Sequence, residues 1–165
     1  MEVCGLNLLL IVIMILIGFD MNQFTNSEGD TKSKLRAMFE AYMNCPEDHG
    51  LKHLTALIAR LESQSLGNGV ASLTSLEQLL LRLHTQYPGD RGVFGPCLLN
   101  YLTLNRGASF FIGANEPHAY ISGDLMECMA LSDNVVRAGL TPKYKDVKTL
   151  VNMLHYKYVH CATVD

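Results

Sequence analysis

The sequence predicts an α+β fold, a helical module up to about residue 90 followed by a largely β half. Three observations lead there. Apolar residues recur at helical spacing between Leu35 and Leu83, and from Gly92 the texture changes to short apolar runs divided by polar, glycine-rich turns. A content of 48% hydrophobic and 18% charged residues is that of a chain able to build a packed core. The 165 residues leave room for one ordinary domain or a piece of a larger one.

The chain opens on an apolar segment, residues 1–21, in which Leu8 to Ile17 is unbroken by any polar residue. Three readings of it stand side by side. A membrane helix over residues 3–19 approaches the length of about 20 residues that a bilayer requires, but it lacks basic flanks. A signal peptide would have a basic start and a small-residue cleavage site, whereas Glu2 makes this start acidic and no A-x-A follows Gly18. The third reading is a buried β-rich segment, or a stretch foreign to the working protein. A polar linker, residues 22–30, follows.

The helical module spans residues 31–90. Leu35, Met38, Phe39 and Tyr42 form the first stripe, which Asn44-Cys45-Pro46 ends because proline disfavours a helical residue before it. Glu47 to about Ser65 forms the second helix, with Leu51, Leu54, Leu57, Ile58 and Leu61 on one side and SLGNG as its stop. Thr74 and Glu77 have capping-box spacing at the head of the third, whose Leu76, Leu79, Leu80 and Leu83 face inward. Residues 91–155 carry the β half, with a turn at Asn105-Arg106-Gly107 and a final amphipathic helix of Val147, Leu150, Val151 and Leu154 capped by Asp146; a tail occupies 156–165.

Charge and cysteine content narrow the function. No Lys or Arg precedes Lys32, and beyond the four acids Glu2, Asp20, Glu28 and Asp30 the chain is close to neutral, so no nucleic-acid surface is expected. Five widely spaced cysteines without a C-x-x-C pair read as separate thiols in a reducing compartment. A cytoplasmic location follows, with membrane attachment through residues 3–19 as the alternative.

Ionisable side chains crowd into Asn115 to Lys143, which holds His118, Tyr120, Asp124, Glu127, Asp133, Arg137 and Lys143. Convergence of such groups makes sites, although structural ion pairs have the same composition. Within this segment HAYISGDLMECMALSDNVVRAGLTPK (118–143) resembles the C-terminal signature of the type I mannose-6-phosphate isomerases, also called phosphomannose isomerases. The lead-in QYPGDRGVFGPCLLNYLTLNRGASFFIGANEPHAY (86–120) and the following KYKDVKTLVNML (143–154) are similar too. The resemblance is strong over about 75–155 and weaker over 30–74, where the family has its helical insertion.

The resemblance implies part of a cupin-type β jelly roll after the helical module. It also implies a zinc-dependent aldose–ketose isomerase that interconverts mannose 6-phosphate and fructose 6-phosphate in carbohydrate metabolism, supplying GDP-mannose. His118, in PHAY, matches a zinc ligand, set against the plain reading of a satisfied histidine near a turn. Arg137, in VRAG, matches the active-site arginine, whose fixed charge suits an enediolate oxygen, or else pairs with Asp133 or Glu127 to hold a loop. Tyr120, Glu127 and Lys143 match pocket-lining positions that touch substrate or support the groups that do. Asp124 and Asp133 read as turn or cap residues. His155, His160 and Cys161 show no recognised metal spacing, and Gly67-Asn68-Gly69 is no dinucleotide fingerprint.

The family's other zinc ligands come from a Q-x-H-P element and a later glutamate, and no Q-x-H occurs here. A catalytic zinc usually has three or more protein ligands. The sequence-level expectation is therefore a partial isomerase chain, with a non-catalytic, membrane-attached remnant that binds other proteins as the alternative.

Overall fold

The computed structural model describes residues 30–132 and 135–156. Four α-helices, α1 (Thr31–Asn44), α2 (Glu47–Asn68), α3 (Ser75–Gln86) and α4 (Val147–Met153), are joined by 3-10 turns at Val70–Ser72 and Arg91–Cys97 and by a long extended stretch before α4. The apolar start, most of the linker, the tail after Tyr156 and Asp133 lie outside the described residues.

Local chemistry sets each helix boundary. Asp30 caps α1 by accepting from the Ser33 N–H at 2.9 Å, and Pro46 separates α1 from α2. α2 runs to Asn68, three residues past the expected stop at Ser65, because the chain leaves helical geometry only at Gly69, whose φ of +80° suits glycine. The capping box of α3 is present. Thr74 Oγ1 accepts from the Glu77 N–H at 3.2 Å while Glu77 Oε2 accepts from the Thr74 N–H at 2.9 Å. Asp146 caps α4 by accepting from the Thr149 N–H at 3.0 Å.

The apolar stripes meet in one core. Leu54 and Leu61 of α2, Leu80 and Leu83 of α3, and Val93 of the Arg91–Cys97 turn are fully buried, joined by Tyr42 and Met43 of α1 and by Leu150 and Leu154 at the far end of the sequence. Each such side chain contributes about 1.5–3 kcal/mol through burial. The Tyr42 hydroxyl donates to the Arg91 carbonyl at 2.7 Å, and Arg91 Nη1 returns a bond to the Met43 carbonyl at 3.0 Å, so the end of α1 is clasped to the turn after α3. α4 packs on α1, where the Arg36 guanidinium donates to Asn152 and Phe39 meets Tyr156 edge to face. Four stripe positions are less buried than expected. Leu35, Phe39 and Leu76 are half-buried, and Leu51 remains 45% exposed at the rim beside the Gly89 turn.

The expected β half looks different. Among the described residues no strand is formed: residues 101–132 and 135–144 are extended and turning, with a lone bridge position at Ser109, although the Asn105-Arg106-Gly107 turn is present, with the Ala108 N–H donating to the Asn105 carbonyl at 3.0 Å. Apolar residues in this stretch that a second sheet layer would cover are open, Met126 at 97% and Leu131 fully so. Cys45, Cys97 and Cys128 are free thiols, as separate thiols should be, and burial pushes Cys97 up to about 12.

Candidate active site

The segment rich in ionisable groups is tied to the helical module at two places. At its far end Asp90, just before the Arg91–Cys97 turn, gathers four donors. Oδ1 accepts from the N–H groups of Gly92 (2.6 Å) and Leu140 (3.1 Å); Oδ2 accepts from the Thr141 N–H and the Lys145 ammonium, each at 3.3 Å. Burial alone would raise this carboxyl, but the N–H groups and Lys145 outweigh it and hold Asp90 below the usual carboxylate range. The backbones touch at the same place. A Cβ on Gly92 would stand 2.5 Å from the Leu140 nitrogen, and one on Gly139 2.7 Å from the Gly92 Cα, so neither position has room for a side chain. At the near end Arg82 of α3 donates to the Ile121 carbonyl at 3.2 Å and to Ser122 Oγ at 3.4 Å.

On either side of the near tie, three of the candidate residues come together. A turn carries the chain through Asn115, which adopts φ +61°, a left-handed conformation that asparagine tolerates, and the Gly113 N–H donates to Glu116 Oε2 at 3.4 Å. Pro117 then keeps Glu116 extended, and His118 follows on the surface. His118 Nδ1 lies 3.0 Å from the Glu116 carbonyl. A carbonyl only accepts, so Nδ1 is the donor in this bond; in a neutral imidazole so held, Nε2 is the nitrogen with the lone pair, the arrangement found in metal-ligating histidines. The His118 and Tyr120 rings stand 5.6 Å apart, and the Tyr120 hydroxyl donates to Glu127 Oε1 at 2.8 Å. That bond, with lesser contributions from burial and charge, raises the Tyr120 pKa and keeps its phenol protonated.

Arg137 lies on the loop that Asp90 holds. Its neighbours Val136 and Ala138 pack on the core, and Leu140 beyond them adopts φ +53°. Lys143 is exposed, its backbone N–H donating to Thr141 Oγ1 at 3.2 Å. The structure thus links His118, Tyr120 and Glu127 directly and places Arg137 and Lys143 on the anchored loop. Asp124 follows Gly123, which has φ +106°, as a turn residue should. Asp90 and Arg82 were not singled out from the sequence. Asp90 carried a readable signal, a Gly-Asp pair ahead of a short helical turn; Arg82 carried none, because its partners are carbonyl and hydroxyl groups some 40 residues away.

His118 has the tautomer of a ligand, but among the described residues no three His, Cys, Asp or Glu side chains stand together to hold a metal ion, so this donor set does not fit a zinc site by itself. Among the same residues no helix is long and apolar enough to cross a membrane, and the candidate span 3–19 lies outside them.

Comparison with known proteins places this arrangement. A family model described as "Phosphomannose isomerase type I, helical insertion domain" matches residues 17–99, half of the chain. The chain is 49% identical over 128 residues to the mannose-6-phosphate isomerase of Cryptococcus neoformans, covering 78% of this chain and 29% of that one. It is 48% identical over 128 residues to that of Rattus norvegicus, covering 78% and 30%. Identity to the probable mannose-6-phosphate isomerase of Dictyostelium discoideum reaches 65% over 82 residues, 50% of this chain and 18% of that one. The chain spans about three tenths of the length of the first two relatives. Helices α1, α2 and α3 thus lie within the span matched to that insertion domain and α4 lies beyond it, and the chain belongs to the type I phosphomannose isomerase family.

Proposed function

We propose that this chain supplies the helical insertion module and one wall of the active site of a mannose-6-phosphate isomerase, acting on mannose 6-phosphate and fructose 6-phosphate in the cytoplasm and feeding GDP-mannose synthesis. The observation that carries the reading is the linked set His118, Tyr120 and Glu127 on a segment fixed to the helical module at both ends. Isomerisation of an aldose to a ketose moves a proton from C2 to C1 and another from O2 to O1, passing through an enediolate. Such a path needs a proton acceptor and a positive group beside the developing oxyanion. Arg137 offers a charge that does not titrate, and the protonated Tyr120 beside Glu127 offers a donor and an acceptor at hydrogen-bonding distance of each other. Lys143 supports the anionic substrate, and the extended stretch from Tyr101 belongs to a cupin jelly roll.

His118 serves as one ligand of a zinc ion whose remaining donors the described residues do not provide. When bound, that ion orients the sugar oxygens and offsets negative charge on them. The same shortage of donors favours a second reading, a non-catalytic isomerase-like chain that acts through protein contacts. The two separate in one experiment on the purified chain supplied with zinc and mannose 6-phosphate. Formation of fructose 6-phosphate, lost in His118→Ala, supports the isomerase; a folded chain without turnover, whose zinc uptake is the same in His118→Ala, supports the second reading.

A further inference from the structure

α2 carries two histidines four residues apart, His49 and His53, which share one face of its first turns. Their rings meet edge to face, with centroids 4.5 Å apart and planes at 66°. Two imidazoles bound to one ion through ring nitrogens at about 2.0–2.1 Å, with ligand angles of about 90–110°, hold their centroids about 4.5–5.3 Å apart. The observed separation lies at the short end of that range, so side-chain rotation alone brings both nitrogens onto one ion. Both side chains are half-buried, which leaves access for an ion and its waters. One ring nitrogen from each histidine suffices, so either residue keeps its second nitrogen for another hydrogen bond.

We propose that His49 and His53 form a surface site for a borderline divalent transition-metal ion such as Ni²⁺, Cu²⁺ or Zn²⁺, chelated across the first turns of α2 and completed by water. Imidazole donors select these ions over Mg²⁺ and Ca²⁺, which require oxygen ligands. The site is separate from His118 and independent of the isomerase reading. It also fits a local need. α2 starts at Pro46 with no side-chain cap, unlike the helices headed by Asp30, Thr74 and Asp146, and an ion chelated only by the helical form stabilises its first turns by linkage.

The test uses the full chain, with Ni²⁺ as probe and Mg²⁺ as control, followed by calorimetric titration and thermal unfolding. Saturable binding of Ni²⁺ with a rise in Tm is expected, with no response to Mg²⁺. Both effects should vanish in His49→Ala, in His53→Ala and in His53→Gln, while helicity by circular dichroism stays unchanged. They should persist in His118→Ala and in Cys128→Ser, which remove an exposed histidine and an exposed thiol elsewhere on the chain. Absence of saturable binding in the parent chain, binding that survives in His53→Gln, or loss of binding in His118→Ala or Cys128→Ser would each overturn the proposal.

Discussion

The helical module and the extended segment before α4 are both rich in apolar side chains, and they treat them in opposite ways. Leu61 of α2 is 0% exposed, whereas Leu131 is exposed at 105% of its reference area. The module closes on itself because helices satisfy their own backbone hydrogen bonds and need only bury one stripe each. An extended chain needs neighbouring strands to do both. The described part of the segment forms no strand, and it is attached to the module by the hydrogen bonds of Asp90 and Arg82 and by Ile121, Val136, Ala138 and Leu140 packed on the core. The residues of the candidate site therefore depend on a hydrogen-bonded junction with a few apolar contacts beside it, whereas the module depends on a closed core.

If that contrast is right, truncation in the core must cost far more than truncation in the segment. Leu61→Ala should destabilise the chain by about 2–5 kcal/mol, read as a lower denaturation midpoint, because it opens a cavity among packed neighbours. Asp90→Ala should cost less, about 1–3 kcal/mol, since it strands the N–H groups of Leu140 and Thr141 and the Lys145 ammonium. Its signature would be local. Hydrogen exchange should rise at Leu140 and Thr141 with little change in α2 and α3, and equal acceleration everywhere would show that junction and core are one cooperative unit.

The same junction should respond to acid. Because the folded pKa of Asp90 lies below its unfolded value of about 3.9, its contribution is complete above that value and is lost as pH falls through the lower folded one. Exchange at Leu140 should therefore rise below about pH 4, and Asp90→Asn should abolish that dependence. A smaller effect, about 1 kcal/mol, is expected for Thr74→Ala, which removes the oxygen that caps α3. Leu131→Ser should be the mildest, within about 0.5 kcal/mol, since its side chain already faces water. A large loss there would mean that Leu131 is covered in solution and would break the contrast between the regions.

The helices were legible in the sequence because their determinants are local. Pro46, the Thr74/Glu77 pair and Asp146 act within four residues of themselves, and the stripes at Leu54–Leu61 and Leu79–Leu83 follow one period. Leu51 departed from its stripe because burial at a helix end depends on where a second helix begins, which the pattern does not encode. In the segment, apolar runs separated by turns pointed to strands, and the turns at Gly107 and Gly123 are present. Pairing is not a property of one run, however, so the expected strands could not be read from it. His118, Tyr120 and Glu127 were legible as a set through the signature, while the Asp90 junction joins residues 50 positions apart and became visible only in three dimensions.

The central claim is that His118 and Arg137 of this chain perform isomerase chemistry when the rest of the fold is present. It is tested most directly by placing residues 31–155 into the matching stretch of the mannose-6-phosphate isomerase of Saccharomyces cerevisiae, 48% identical over 128 residues, and measuring conversion of mannose 6-phosphate. The account predicts an active chimera that loses turnover on either His118→Ala or Arg137→Ala while remaining folded. A chimera that folds and stays fully active with both residues replaced would contradict it.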